Sequence, residues 1–422
     1  MARRPSRTLP RKSIFDPVHG PIPLEGVALA LVGSPEFQRL WQIRQTGFAH
    51  LVFPGANHTR LEHSLGAFWV AGRMAEHLGL GETDSERVVA GALLHDLGHG
   101  PFSHTLDGPM VEALGFGHET ASRARIEGRS LPGSTEAVTA PAILERFGIS
   151  PRAVADLIDP PASGTEPRLL REILHGAIDA DRIDYLQRDA HYTGVGHGAI
   201  DAARLLDTMH GVHHRLVFAE KGRSAVEGFL VGRALMYSTV YYHKTVRAAE
   251  MMAQGAVERM PGYPEAARPL FHSTDGELLV RLQDVGGVSA ELVGGIAARR
   301  LLKRVHGWRS VEPSDRARWR RLLRRPAERR ALEDEIASHV GVRSGRVLVD
   351  LAGLEPRGDP GEDWASVGLA VDGRVAFPFR GPSPWRELAT RAPADWAISV
   401  YADARVRNAT SHWLSRDPSI LP

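Results

Sequence analysis

The chain has 422 residues, 43% of them hydrophobic, and a formal net charge of +2 at neutral pH. That length and apolar content suit two or three domains, or one large one with an appendage, with a substantial core, and exclude a wholly disordered chain. Cysteine is absent, which removes disulfides, thiolate metal sites and cysteine nucleophiles, so any metal must be held by imidazole and oxygen ligands; the near balance of charge gives no general argument for nucleic acid.

The opening MARRPSRTLPRKS is basic but has no apolar segment, so residues 1–13 read as a solvated tail and not a secretory signal. No apolar run approaches membrane-spanning length, and a cytoplasmic chain with no membrane partner is expected. From Pro35 to about Ala253 helical periodicity dominates. EFQRLWQIRQ predicts a helix with Phe37, Leu40, Trp41 and Arg44 on neighbouring turns, and VFPGANHT a turn after it. LEHSLGAFWVAGRMAEHLG is a second helix with His63 near its start. DSERVVAGALLHDLGHG is a third, capped by Asp84 or Ser85 and stopped by its glycines. LLREILHGAIDADRIDYLQRDA reads as another long helix, HRLVFAEKGRSAVEG as a β-hairpin turning at Lys221-Gly222, and FLVGRALMYSTVYYHKTVRAAEMMAQGA as a further long helix. Residues 299–330 are arginine-rich with Trp308 and Trp319 interleaved. After Gly341 the alternating stretches RVLVDLA, SVGLAV, RVAFPF and AISVYA suggest a small mixed α/β lobe. The expected fold is mainly α: a tail to residue 13, a helical core over 14–260, a helical, arginine-rich extension over 261–340, and a small α/β lobe over 341–422.

HDLGHGPFSH packs three histidines and an aspartate behind the apolar run VVAGALL. His95 and Asp96 therefore close a buried helix, where a charge is costly unless a metal or partner satisfies it. His63 and Asp181 lie on other helices and would complete a mixed nitrogen–oxygen site suited to Mn, Fe, Co, Ni, Zn or Mg. Spacing alone reads both equally well as ordinary helix-surface residues. Asp181, Tyr185 and Asp189 share one helical face with Arg182 beside them, and Arg233, Tyr237, Tyr241 and Lys244 stack along another. These faces suit a cleft that offers arginines to phosphates and tyrosines to a sugar or base.

Taken together, HTRLEHS, HDLGHGPFSH, GHE, DADRIDYLQRDAHYTG and YYHK resemble the HD superfamily of metal-dependent phosphohydrolases. Within it the chain is most similar to the deoxynucleoside triphosphate triphosphohydrolases, especially the animal members that carry a sterile-alpha-motif domain. The likeness runs from IFDPVHG at Ile14 to about residue 250. It implies an HD-domain helical core in which His63, His95, Asp96 and Asp181 hold a divalent metal ion. It also implies hydrolysis of dNTPs at the α-phosphorus to a deoxynucleoside and inorganic triphosphate. The proton for the leaving oxygen would come from His118 paired with Asp107, while His99 and His104 reach the α-phosphate or the attacking water. By the same likeness Arg60, Arg182 and Arg233, with Tyr185 nearby, contact phosphates; Gln45 and Asp189 read the 3′-hydroxyl; and Tyr241 packs where a 2′-hydroxyl would clash.

The chain departs from the animal pattern at several positions. Arg182 stands for lysine, Thr46 for leucine near the sugar, and Tyr237 for histidine near the substrate. Gly33 and Trp41 stand where an aspartate and an arginine read guanine in a regulatory site, whereas Gln38, His243 and Lys244 match its neighbouring contacts. A homo-oligomer (dimer or tetramer) and regulation by a nucleotide other than GTP are therefore expected. Two other functions suit parts of the chain: an HD-superfamily nuclease or phosphodiesterase acting on single-stranded nucleic acid through 299–330, and a nucleotide-sensing protein without turnover.

Overall fold

The protein is described by a computed structural model covering residues 11–161, 167–308, 313–351, 365–371, 374–379 and 398–416, without the side chains of 313–318 and 416. The basic tail expected at the N-terminus lies outside the described residues up to position 10. From Lys12 the chain already forms strand β1 (Lys12–Asp16), which pairs with β2 (Gly20–Leu24). Next come α1 (Gly26–Val32) and the short α2 (Pro35–Gln38), followed by a 3-10 turn at Arg39–Gln42. The expected EFQRLWQIRQ helix is thus broken, with Phe37 and Leu40 buried and Trp41 half exposed.

Helix α3 (Arg60–His77) starts at a capping box in which Thr59 and Glu62 satisfy each other's backbone amides. Helix α4 (Glu82–Leu94) begins at Gly81, earlier than the expected Asp84 or Ser85 cap, which places both residues inside its first turn. The chain continues through α5 (Asp107–Leu114), α6 (His118–Ile126), α7 (Ala140–Arg146), α8 (Pro151–Ile158) and α9 (Arg168–His175) to α10 (Ala180–Thr193). The long helix expected over 169–190 is two helices. Gly176 leaves helical geometry in an extended conformation, and Asp179 caps α10 by accepting from the Arg182 amide at 2.7 Å. Asp181 thereby falls in a first helical turn.

After α11 (Ala202–Thr208) comes a hairpin of β3 (Met209–Val212) and β4 (Arg215–Ala219). Its turn is His213-His214, both left-handed at φ 48° and 59°, as a two-residue hairpin turn demands. Lys221-Gly222, the expected turn, instead leads into α12 (Arg223–Met236). A π-helical stretch at Tyr237–Tyr241 then interrupts the expected long helix before α13 (Lys244–Glu258), which His243 caps. Arg233, Tyr237 and Tyr241 stay adjacent, while Lys244 is carried to another face. Helix α15 (Gly287–Ala297) packs against α13, and α14 (Asp275–Val285) against α15.

The C-terminal lobe begins earlier than Gly341. Residues Lys303–Trp308, expected within a helical extension, form β5 at the edge of a three-stranded antiparallel sheet. Helices α16 (Pro313–Arg324) and α17 (Pro326–His339) follow, then β6 (Val347–Asp350), β7 (Gly368–Val371), β8 (Arg374–Ala376), β9 (Ile398–Ala402) and a final helix, Arg407–Arg416. The four alternating stretches are strands, but they serve two sheets. β6 and β9 join β5, whereas β7 and β8 extend the β3–β4 hairpin through the parallel pair β4–β7. Trp319 is buried in the lobe's own core and its ring lies 5.6 Å from that of Trp308. Arg321 and Arg325 pair with Glu328. Buried ion pairs fasten the lobe to α13: Arg329 bridges Glu258 and Glu333, each at 2.6 Å, and Arg259 reaches Glu333 at 2.9 Å.

Candidate active site

The HD stretch is a turn clamped from three sides. Arg39, buried after α2, donates to the carbonyls of Leu97 at 3.1 Å and His99 at 2.7 Å. Ser122 of α6 accepts from the Gly98 amide and donates to the His95 carbonyl. A side chain at Gly98 would run into the backbone of His118 and Ser122, so this glycine serves close approach of α6. The left-handed residues of the turn are Phe102 and Ser103, not its glycines. Asp275 of α14 holds Phe102 by accepting its amide at 2.6 Å.

His63, His95, Asp96 and Asp181 converge at one end of the resulting cleft. His63 Nε2 lies 2.9 Å from Asp181 Oδ1, 3.3 Å from His95 Nε2 and 3.7 Å from Asp96 Oδ2. His95 Nε2 lies 3.2 Å from Asp96 Oδ1 and 3.8 Å from Asp181 Oδ1. The second nitrogen of each imidazole is already committed: His63 Nδ1 to Asp184 at 2.8 Å, His95 Nδ1 to the Ala92 carbonyl at 2.7 Å. Both partners only accept, so Nδ1 carries the proton and Nε2 presents its lone pair to the centre. Burial disfavours a charged His63, but the carboxylates of Asp181, Asp184 and Asp96 outweigh it and raise the group to about 10. Burial likewise opposes ionisation of Asp96, yet Arg60, 2.7 Å away, and His95 keep it well below the usual carboxylate range. Two neutral-tautomer imidazoles and two carboxylates thus fit a divalent cation, whose charge would take the place of the His63 proton.

Behind this quartet lies a network whose residues had no assigned role in the sequence. Asp184 accepts from His63, from His19 at 2.6 Å and from Arg188 at 2.9 and 3.0 Å, and Arg188 continues to Asp16 at 2.7 Å. Gly66 in the middle of α3 lets this network sit tight, since any side chain there would collide with Asp184 and Arg188. The available signal was the spacing of Asp184 and Arg188, four apart on the face of α10 adjoining Asp181.

His99, His104, Asp107 and His118 form a second cluster beside the first. His118 Nδ1 lies 3.3 Å from Asp107 Oδ1, and His104 Nδ1 2.9 Å from Asp107 Oδ2. The His118 ring stacks on His99 at 3.9 Å, and His99 Nε2 reaches Asp96 at 3.3 Å. Burial works against a charged His118, but the Asp107 carboxylate prevails and raises its pKa. Burial, with Arg60 and His118, pushes His99 well below the ordinary imidazole value. The protonated form is thus favoured at His118 and disfavoured at the neighbouring His99.

From Arg60, Ser103 and His104 the cleft runs past Gln45, Tyr185, Asp189, Tyr237 and Tyr241. Asp189 accepts from Tyr241 at 2.5 Å and pairs with His58 at 2.7 Å, an imidazole with no assigned role in the sequence. Arg233 is buried with its guanidinium 5.3 Å from the centre of the Tyr237 ring. Arg182 donates to the Gly176 carbonyl and to Asp179, and lines a different opening with Arg168, Arg171 and His175. Of the residues expected to hold a regulatory nucleotide, exposed Gln38 donates to the Val32 carbonyl, His243 caps α13, and Lys244 lines a separate basic pocket.

A helical core that presents a histidine-aspartate turn to a further histidine and aspartate on neighbouring helices defines an HD domain. The chain belongs to this family: the HD domain matches residues 60–189 and the HD associated region residues 200–416, half of the chain. An uncharacterized protein of Methanocaldococcus jannaschii is 38% identical over 250 residues, covering 58% of this chain and 49% of that protein. The deoxynucleoside triphosphate triphosphohydrolase SAMHD1 of Gallus gallus is 30% identical over 283 residues, covering 59% of this chain and 45% of that one. A solved phosphohydrolase structure from Bacteroides thetaiotaomicron superposes with a TM-score of 0.66 at 27% identity, over 87% of this chain and 93% of its own. The chain spans about half the length of the curated relatives it matches. No helix among the described residues is long and apolar enough to cross a membrane.

Proposed function

We propose that the protein is a metal-dependent hydrolase of deoxynucleoside triphosphates, releasing a deoxynucleoside and inorganic triphosphate. The observation that carries this reading is the junction of both clusters with one cleft: two histidines and two aspartates converging at one end, His118 with a raised pKa at their edge, and a tyrosine–carboxylate wall beyond. A divalent ion at the centre supplies Lewis acidity toward a phosphoryl oxygen and toward water. Arg60, buried with its Nη2 unpaired among the described residues, donates to the phosphates. His118 holds its proton through Asp107 and delivers it to the departing 5′-oxygen, which is a poor leaving group without one. Neutral His99 and half-exposed His104 hydrogen-bond the α-phosphate. Tyr241, fixed by Asp189, closes the space a 2′-hydroxyl would need. The animal triphosphohydrolase among the relatives supports the same substrate class.

Regulation belongs to the same proposal. Lys244 joins Lys303, Arg304 and Arg407 around a pocket of about 670 Å³, large and basic enough for a nucleotide. The decisive experiment incubates manganese-loaded protein with each dNTP, each NTP and single-stranded DNA, followed by chromatography of the products. Inorganic triphosphate with a deoxynucleoside is the expected result. Mononucleotides from DNA, or GTP turnover equal to that of dGTP, would overturn the reading.

A further inference from the structure

The substrate cleft does not stop at the tyrosines. It continues past Thr46 and Gly47 to Arg247 and Glu250, two charged residues three apart on α13. Arg247 Nη1 donates to Glu250 Oε2 at 2.5 Å. The rest of its guanidinium is gripped by the C-terminal lobe: Nε and Nη2 donate to the two oxygens of Asp350, on β6, at 3.0 and 2.7 Å. All three side chains are largely buried, at 11% exposure for Arg247, 15% for Glu250 and 8% for Asp350. A planar fork held at both ends has little freedom left, so Arg247 and Glu250 present a fixed edge.

The floor beside this edge is shaped to admit a flat group. Gly47 has φ +52°, and a side chain there would come within 3.0 Å of Thr105 Oγ1 and 3.8 Å of Glu250 Oε1. Its absence leaves open the space between these two. The Thr46 and Thr105 hydroxyls are buried without hydrogen-bond partners among the described residues. With phosphates at Arg60 and a deoxyribose against Gln45, Asp189 and Tyr241, the base is the part of the nucleotide left for this end. The inference rests on the proposed substrate class in that respect.

Two carboxylates around one guanidinium make the edge net negative, and a carboxylate accepts more than one N–H at a time. Guanine offers two adjacent N–H donors, N1 and the 2-amino group, beside an O6 that accepts. Thymine offers one N–H between two carbonyls. We propose that Arg247 and Glu250 read the base of the bound nucleotide and favour guanine over thymine, and that Asp350 of the C-terminal lobe is a positioning residue for that edge.

The test measures kcat/KM of the metal-loaded enzyme for dGTP, dATP, dCTP and dTTP, and in parallel the binding of the same nucleotides by calorimetry. The variants are Glu250→Gln and Asp350→Asn, both shape-conserving. A site that pairs a substrate N–H discriminates against an analogue lacking it, so the wild type should prefer dGTP to dTTP by about tenfold or more. Glu250→Gln, which replaces one acceptor by a donor, should bring the dGTP/dTTP ratio to about twofold or less while the dTTP value changes little. Asp350→Asn should lower the ratio part of the way through KM with kcat kept, a split that general loosening of the fold would not produce. A wild-type ratio near one, or a ratio that Glu250→Gln leaves intact, overturns the proposal. Binding without turnover would instead sink the hydrolase reading, and the binding ratio would then decide the base reading by the same criteria. Absence of binding by all four nucleotides overturns both.

Discussion

At the metal end of the cleft, the outer atoms of both imidazoles and the carboxylate behind them are paired before any ligand arrives. His63 and His95 have their outer nitrogens committed, Asp184 is held by His19 and Arg188, and Arg188 is anchored on Asp16. At the other end, Gln45 Oε1, Thr46 Oγ1 and Thr105 Oγ1 are buried with no hydrogen-bond partner among the described residues. Each such atom costs about 1–3 kcal/mol while it stays unpaired. Folding therefore builds the metal end rigidly and leaves the substrate end under-satisfied, and a polar ligand relieves that cost on binding. The difference separates two kinds of residue: those whose loss removes chemistry and those whose loss only weakens binding.

The largest effect should come from the quartet itself. Asp96→Ala removes a ligand and leaves Arg60 without its carboxylate, so activity should fall by at least about a thousandfold together with metal content. Plasma emission on the purified variant checks the second half; full metal occupancy with intact activity would show that the centre lies elsewhere. His118→Ala should lower kcat by about 10²–10⁴-fold, the range for a general acid, with metal content unchanged. The pH profile sharpens this. A general acid must be protonated, and the His118 pKa is raised by Asp107 against burial, so kcat/KM should fall as pH rises through that shifted value. Asp107→Asn removes the cause of the raising and should move the falling limb to lower pH. A limb that stays in place would exclude His118 as the acid.

One step back from the ligands, Asp184→Asn keeps the shape but weakens the grip on His63. Loss of such an outer partner typically costs about 10–100-fold in metal affinity, and titration of the metal-free protein measures it. Unchanged affinity would mean that Asp184 serves folding alone.

Much of this was legible in the sequence because ligands, acid pair and cleft face sit in short motifs whose helical spacing can be read directly. His95 and Asp96 follow VVAGALL at the end of α4 as read, and Tyr185 and Asp189, which share a face of α10 with Asp181, line the cleft. The support was not legible, for two physical reasons. Arg39, Asp275 and Asp16 act across long sequence separations, where periodicity is silent. The break at Gly176 falls on a residue of low helix propensity that the flanking periodicity masks, and the π-helical Tyr237–Tyr241 stretch carries no glycine or proline to mark it, so two helices read as one. The base-facing end was missed for the same reason. Arg247 looks like any helix-surface arginine until Asp350, 103 residues later, is seen to hold it.

The smallest of these effects tests the open end of the cleft most directly. Gln45→Leu is similar in size, removes the unpaired Oε1 and leaves the quartet and His118 untouched. An interaction made equally in the ground and transition states changes KM and not kcat. KM for a dNTP should therefore rise about tenfold, one charge-free hydrogen bond or slightly more, with kcat within about twofold. The thermal midpoint of the ligand-free protein should hold or increase, because a buried polar atom without a partner is replaced by an apolar one. Substrate affinity falls while stability holds or rises only if Gln45 is under-satisfied for the sake of substrate. A fall in kcat with unchanged KM would place it in the chemistry, and a drop in thermal midpoint would show that its carbonyl supports the fold.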